Sequence, residues 1–506
     1  MKYLSKFFIL VCSILLVFAC STDLDIDPEN TTIQGNIDYS NSSDMILPLI
    51  GAYAATQSRG WEQFPLISVR GDDVNSGGLG DQQPFADTDR FQYDKDYWMY
   101  NSLWQTMYAD VFANRNAIAE IARFETAGAP ASTAAQYTAE VRVLNGFLLF
   151  QLSRVWGDIF IPEVTDPTQL ISAETNTKQE VMQYVSDEMD AAIPNLPNMR
   201  PNQRTDIPGG VTRHTALAIK ALANLELENY QAVADATGEI INSGLFTLHS
   251  DFYQLFKIPG KLSDENLMEF QYSDFGQGPG DHISYLYAFF GPQGWTPQVS
   301  GAGAGWGFYE PSLKYIDFML DRGERTRLET SVLFTNRGIS ELETYRGESA
   351  PSWVSNETPS GDIINDYARA MFASGKHYLP SDQLSPGSTA YGRNKNFIVM
   401  RYAEVLLMYA EALTNGASGS AGSAADALNQ VRLRAGMPTL SNPSVQDVRN
   451  EKFAELAMEW GTRYYDQLRY QDFGELSYDG RTFTADKTFL PYPQNQVDQL
   501  AGLSND

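Results

Sequence analysis

Apolar residues recur at three- and four-residue intervals in two blocks of this chain, residues 42–244 and 397–470, on either side of a long aperiodic stretch. The pattern calls for paired amphipathic helices split by an irregular insertion. The spacing predicts helices over 42–59, 101–124, 134–156, 178–193, 212–228 and 230–243. In 134–156, Tyr137, Val141, Leu144, Leu148, Leu152 and Val155 form one stripe, and Thr133 with Gln136 matches a capping box. Thr177 with Glu180 repeats that box ahead of a stripe of Met182, Val185, Met189 and Ala192, and Pro194 ends the helix. In the second block the spacing predicts helices over 397–415 and 424–435, and one from Ser444 to about Tyr470. Helix pairs joined by short turns imply a mostly α protein, a degenerate tetratricopeptide-like solenoid without a clean 34-residue repeat. Arg401 with Glu404, and Glu459 with Arg463, stand at helical spacing and read as ion pairs.

Between 245 and 396 glycine, proline, serine and aromatics rise, and only 314–320 has a short helical period. A long aperiodic region inside a compact chain is usually functional. Its most unusual stretch, GPQGWTPQVSGAGAGWGFY at 291–309, sets large rings among glycines. Rings normally go inside, and glycine runs normally mark surface loops.

The N-terminus reads as a secretory signal over 1–19, with Lys2 and Lys6 before an apolar run from Phe7 to Phe18. Val17-Phe18-Ala19-Cys20 resembles a bacterial lipobox, in which Cys20 becomes the first residue and carries lipid. No later cysteine exists for Cys20 to pair with. Residues 20–41, polar and acidic, read as a lipidated tether ahead of a single domain over 42–506. The formal net charge of -27 repels phosphates, which excludes nucleic acid as a first choice of partner. GAGAGWG lacks the spacing of a dinucleotide loop, and no GxSxG or HExxH occurs. His214, His249, His282 and His377 lack metal-ligand spacing, and nothing else in the chain calls for a metal or cofactor.

Several segments, in order, carry a resemblance. These are WQTMYADVFANRNAIAEI (104–121), AEVRVLNGFLLFQLSRVWGDIFIPE (139–163), RHTALAIKALANLEL (213–227), MRYAEVLLMYAEALTNG (400–416), ALNQVRLRAGMP (427–438), NEKFAELAMEWGTRYYDQLRY (450–470) and LPYPQNQVDQLAGLSND (490–506). Together with the lipobox they resemble the SusD/RagB family of Bacteroidetes outer-membrane lipoproteins across nearly the whole length. Two places depart from that pattern. Glu451-Lys452 stands where the family often has Glu-Arg, which exchanges a bidentate guanidinium for a point charge, and the closing segment reads Ala501-Gly502-Leu503.

The resemblance implies a non-enzymatic glycan-binding lipoprotein of the outer membrane, and in such a family the acidic residues that follow Cys20 favour placement on the outer face. It implies a scaffold that docks on a SusC-like TonB-dependent transporter and a loop-built face that captures poly- or oligosaccharide. The alternative is a structural lid or assembly subunit of the transporter with little glycan affinity of its own. Stacking rings beside amides and carboxylates suit sugars, whose C–H patches sit on polar bodies. Trp295, Trp353, Trp61, Tyr287 and Phe85 are the candidate rings, and Asp73, Asn75 and Gln82 the candidate polar partners. The adjacent Asp72 and Asp73 could be a catalytic pair, calcium ligands, sugar acceptors or a solvated turn, and of these sugar hydrogen bonding is favoured far above catalysis, because adjacent residues do not normally point at the same site. Trp306 reads as packing, and Trp104, Trp156 and Trp460 as core. Abundant aromatics and the negative charge favour a neutral, glucan-type ligand over uronate-rich or sulfated chains.

Overall fold

The computed structural model describes residues 37–57, 63–78, 81–163, 165–273, 286–384 and 394–505. The predicted signal and Cys20, along with Trp61 and His282, lie outside the described residues. The fold is mostly α, as the periodicity requires. Its scaffold comprises α1 (Ile46–Gln57), α2 (Trp98–Thr126), α3 (Ala131–Trp156), α4 (Lys178–Ala192), α5 (Arg213–Glu226), α6 (Tyr230–Asn242), α7 (Tyr402–Thr414), α8 (Ala424–Arg434), α9 (Val445–Leu456) and α10 (Thr462–Arg469). Consecutive helices pack on each other from α2 to α6, α1 lies against α2 and α3, and α6 then packs on α7. The array therefore runs on without a gap past the long insertion, and α8 and α9 extend it. Residues ahead of α1 already belong to this body. The Tyr39 hydroxyl donates to Glu120 of α2 at 2.6 Å, and its ring meets Phe124 edge-on at 5.0 Å.

The local signals that hold are the caps. Thr177 Oγ1 accepts from Glu180 N at 3.3 Å while the Glu180 carboxylate accepts from Thr177 N at 2.8 Å, and Ser444 with Asp447 closes the same box on α9. The box at Thr133 does not form, because α3 begins at Ala131, behind Pro130. Nor does α3 bury one stripe only. Val143, Phe147, Leu149 and Phe150 are buried as fully as the predicted positions, since α1, α2, α4 and α5 all contact it. Gly146 lets α4 come close: a Cβ there would lie 2.6 Å from Met189 Cε.

Two predicted helices break. Phe397–Arg401 is strand β8, paired antiparallel with strand β2 (Asn266–Phe270) in the register Phe270↔Phe397 and Asn266↔Arg401. A short apolar run fits a buried strand as well as a helix, and the partner lies far back in sequence. The helix expected from Ser444 to Tyr470 is interrupted between α9 and α10, where Met458, Trp460 and Gly461 all take positive φ. That reversal carries Glu459 to Arg401 and buries Trp460, whose indole N–H donates to Ile398 O at 2.8 Å.

The ion pairs read from helical spacing do not form. Arg401 instead binds Glu459 at 2.8 Å, Glu265 at 3.0 Å and Glu455 at 2.5 Å, and Arg463 binds Asp72 at 2.6 Å. Glu455 also meets Arg327 at 3.1 Å, and Glu451 meets Arg327 and Arg432, each at 2.7 Å. Arg327 comes from the insertion, so this buried network joins the insertion to the scaffold. Breaking a buried pair by removing one partner leaves an uncompensated charge and costs several kcal/mol, about 3–5.

Candidate functional site

The insertion is built from short ladders, one of them completed by residues 74–75 of the first block. Strands β1 (Val74–Asn75), β3 (Trp295–Thr296), β4 (Glu310–Pro311), β5 (Val332–Phe334), β6 (Ile363–Ile364) and β7 (Phe372–Ser374) pair two by two: β1 with β4, β3 with β6, and β5 with β7. Helices Leu313–Asp321, Thr326–Ser331 and Asn336–Arg346 lie between them, and only the first was legible in the sequence.

Several candidate residues turn out to support this region from below. Phe85 is buried, with its ring 5.5 Å from Phe289 and 6.2 Å from Phe308, which stack on each other at 4.6 Å. Tyr287 is buried and donates to Gly303 O at 2.9 Å. Asp73 is buried and accepts from Met458 N at 2.6 Å, and burial pushes its carboxyl up to about 6. Burial acts on Asp72 as well, but Arg463 and Lys314 outweigh it and hold that carboxylate below its ordinary value. In this structure Phe85, Tyr287 and Asp73 therefore present no surface to a ligand, and the two aspartates are tied into the core rather than set across a cleft. Asn75 is half-buried, and its side-chain oxygen accepts from the Tyr478 hydroxyl at 3.1 Å and from Arg481. Gln82 caps the helix Gln83–Asp89 through its carbonyl, which accepts from Phe85 N at 3.1 Å. Trp104, Trp156 and Trp460 are buried, and Trp306 is a half-buried ring packed against the main core, as expected.

Trp353 stands apart from these. It is half-buried and lines a cleft of about 370 Å³ together with Arg325, Glu329, Asn356, Glu357 and Ile364. The Arg325 guanidinium lies 5.6 Å from the Trp353 ring centroid and 3.1 Å from Glu329 Oε1. Asn356 is held on β6, where its amide donates to Ile364 O at 3.1 Å and its carbonyl accepts from Ile364 N at 2.8 Å. The cleft thus combines one apolar ring with an amide, two carboxylates and a guanidinium. Arg325, Glu329 and Glu357 were not foreseen; the first two lie on or beside the unpredicted helix Thr326–Ser331.

Trp295 lies across β6 from this cleft. It pairs with Ile364 in the ladder and is half-buried between two small clusters, one holding Tyr378 and the other Tyr287 and Leu379. Its ring meets Tyr378 edge-on at 6.2 Å. Beside it the exposed Asn365 amide donates to Thr296 Oγ1 at 3.0 Å. Arg369 binds the exposed Asp81 at 2.6 Å, and its guanidinium lies 4.0 Å from the Phe308 ring centroid.

Among the described residues no group of three or more His, Cys, Asp or Glu is placed to hold a metal ion. His214 is buried against Asn198 at 3.0 Å, and His377 against Ser374 at 2.7 Å. Burial, then the neighbouring lysines, holds His377 well below the ordinary histidine range. No helix among the described residues is long and apolar enough to cross a membrane.

A helical array carrying a loop-built insertion is the architecture of SusD-like proteins. Residues 264–505 match the model of the SusD family, and the chain as a whole is similar to SusD-like proteins. It is 24% identical to a SusD-like protein of Bacteroides ovatus, over 98% of this chain and 96% of that one. It is also 24% identical to SusD-like protein P38 of Formosa agariphila, over 97% and 96% respectively. Among solved structures it superposes on surface glycan-binding protein A of Bacteroides thetaiotaomicron in complex with laminarihexaose, with a TM-score of 0.74 and 22% identity over 91% of this chain and 98% of that one. A laminarin-binding SusD-like protein gives a TM-score of 0.75 with 21% identity over 91% and 98%.

Proposed function

We propose that this chain is a non-enzymatic glycan-binding lipoprotein of the cell surface. It captures a neutral, glucan-type poly- or oligosaccharide and hands it to a SusC-like TonB-dependent transporter, and it is held at the outer membrane by lipid on Cys20. The observation that carries the reading is the Trp353 cleft. A half-exposed indole supplies the apolar face on which a pyranose ring lies, and Asn356, Glu357 and Glu329 supply hydrogen-bonding groups around it. One guanidinium against two carboxylates gives the cleft no excess of positive charge, which favours a neutral sugar over an anionic one. The laminarin ligands of the two structural neighbours support the glucan class. The stretch after Cys20 serves as tether up to Ile37 and Tyr39, which pack on the scaffold, and the rest of the chain serves as one domain, with 245–396 as the ligand-bearing insertion.

Native affinity electrophoresis through gels holding neutral and acidic polysaccharides tests this. Retardation by a neutral glucan, lost in Trp353→Ala, is expected. Retardation by alginate or pectin alone would contradict the ligand class. A second reading, a transporter subunit with little glycan affinity of its own, draws on α1, where Leu47 and Ile50 are 56% and 50% exposed on one uncharged face. It predicts co-purification with the transporter and no retardation by any polysaccharide.

A further inference from the structure

Asp362 is a carboxylate with no exposure to solvent, and its hydrogen-bond donors come from two separate segments, one at 298 and one at 378–381. Oδ1 accepts from Gln298 N at 2.8 Å and from Ser381 Oγ at 2.5 Å. Oδ2 accepts from Ser381 N at 2.9 Å and from the Tyr378 hydroxyl. None of these donors carries a charge. A buried carboxylate is costly unless its lone pairs are filled, and here four neutral donors fill them.

The donors' places in the chain give the arrangement its meaning. Gln298 lies just beyond β3, which carries Trp295, and Val299 N donates to the same Ser381 Oγ at 2.9 Å. Asp362 itself closes the turn that follows the Trp353 limb: its carbonyl accepts from Thr358 N at 2.8 Å, and its own N–H donates to Thr358 Oγ1 at 3.1 Å. Glu357 bridges Ile363, and Trp295 pairs with Ile364, so the Trp353 limb and the Trp295 strand lie on opposite sides of β6. Two strand spacings separate them, about 10 Å. The Tyr378 ring that the carboxylate anchors is also the ring that Trp295 meets edge-on.

We propose that Asp362 is a positioning residue that fixes Trp295 and Trp353 as one two-ring site, so that the ligand is an extended oligosaccharide stretch spanning both rings. The inference rests on the glycan-binding reading above and adds the ligand's length and the residue that sets the ring spacing. Two weak contacts on one rigid frame act as linked modules, and loosening the frame forfeits the gain from linkage. An asparagine at 362 has one acceptor oxygen, and its amide N–H groups would face two of the four donors. It therefore breaks either the seam to Gln298 or the seam to Tyr378 and Ser381.

The test compares the wild type with Asp362→Asn and with the milder Ser381→Ala, which removes one donor and leaves the carboxylate. Amide hydrogen exchange needs no ligand. In both variants, 295–300 and 353–364 are expected to lose protection together, with α2 to α5 unchanged; loosening of only one segment would overturn the coupling. Calorimetric titration then uses laminarihexaose and laminaribiose as probes. Asp362→Asn is expected to weaken hexaose binding on the order of tenfold. The loss should be much smaller when Trp295→Ala or Trp353→Ala is already present, while the disaccharide is weak throughout. Full hexaose affinity in Asp362→Asn, or losses that simply add, would overturn the proposal while leaving glycan binding intact. A wild type that binds neither probe would remove the glucan reading, and the two-ring ligand with it.

Discussion

Trp353 and Lys452 bracket what one side chain does in this molecule. Trp353 is held by the backbone of its limb and packs only partly against the core, so its removal should leave the fold standing. Trp353→Ala is expected to weaken glycan binding about tenfold, with an unchanged urea midpoint. Equal affinity would clear the indole of any binding role. Lys452 is the opposite case. Its ammonium lies 2.8 Å from both Glu411 and Asp466 in the interior, and although burial works against the charge, those two carboxylates raise its affinity for the proton. The point charge that replaces the family's usual guanidinium thus still bridges two acids. Lys452→Met leaves both acids to Arg469 alone, at 2.7 and 2.6 Å, and should cost about 3 kcal/mol in urea denaturation. Sequence spacing could not reveal this, because the three partners come from three different helices.

At the scale of elements, the seam between β2 and β8 joins the insertion to the scaffold, and it should make stability depend on pH. Glu269 of β2 is buried and accepts from Asn396 Nδ2 and Leu262 N, each at 2.9 Å. Burial dominates and pushes its carboxyl from an ordinary 4.5 up to about 7. Between those values the folded chain holds a proton that the unfolded chain has released, so this group lowers stability as pH rises from 4.5 to 7. Glu455 acts in the other direction. Burial opposes its charge, but Arg434, Arg401 and Arg327 outweigh burial and hold it near 2, so its contribution is present above 4.5 and is lost as pH falls toward 2. Melting temperatures across pH 3 to 8 should therefore peak on the mildly acidic side, and Glu269→Gln should flatten the fall above pH 5. A fall that persists unchanged in Glu269→Gln would assign it to other groups. Periodicity made most of the helices legible, and capping chemistry placed the starts of α4 and α9. It failed at β8, whose apolar run is ambiguous until β2 is beside it, and at the reversal before α10, which Glu459 and Trp460 impose through contacts distant in sequence.

Over the whole molecule, one continuous helical array holds an insertion whose own structure comes from two- and three-residue ladders and buried polar hubs. The architecture was readable because the array repeats a local pattern. The site was readable only in kind, as rings among glycines, since which rings surface depends on packing between segments. Phe85 and Tyr287 went under, Trp353 came to line a cleft, and Asp362, which sits in an ordinary-looking Ser360-Gly361-Asp362 turn, became a buried hub. The most direct measurement is a crystal structure of the chain with a bound fragment of whichever polysaccharide retards it. The account predicts a sugar ring against the Trp353 indole, with Asn356 or Glu357 within hydrogen-bond distance of its hydroxyls. A sugar bound elsewhere on the molecule, with the Trp353 cleft empty, would contradict it.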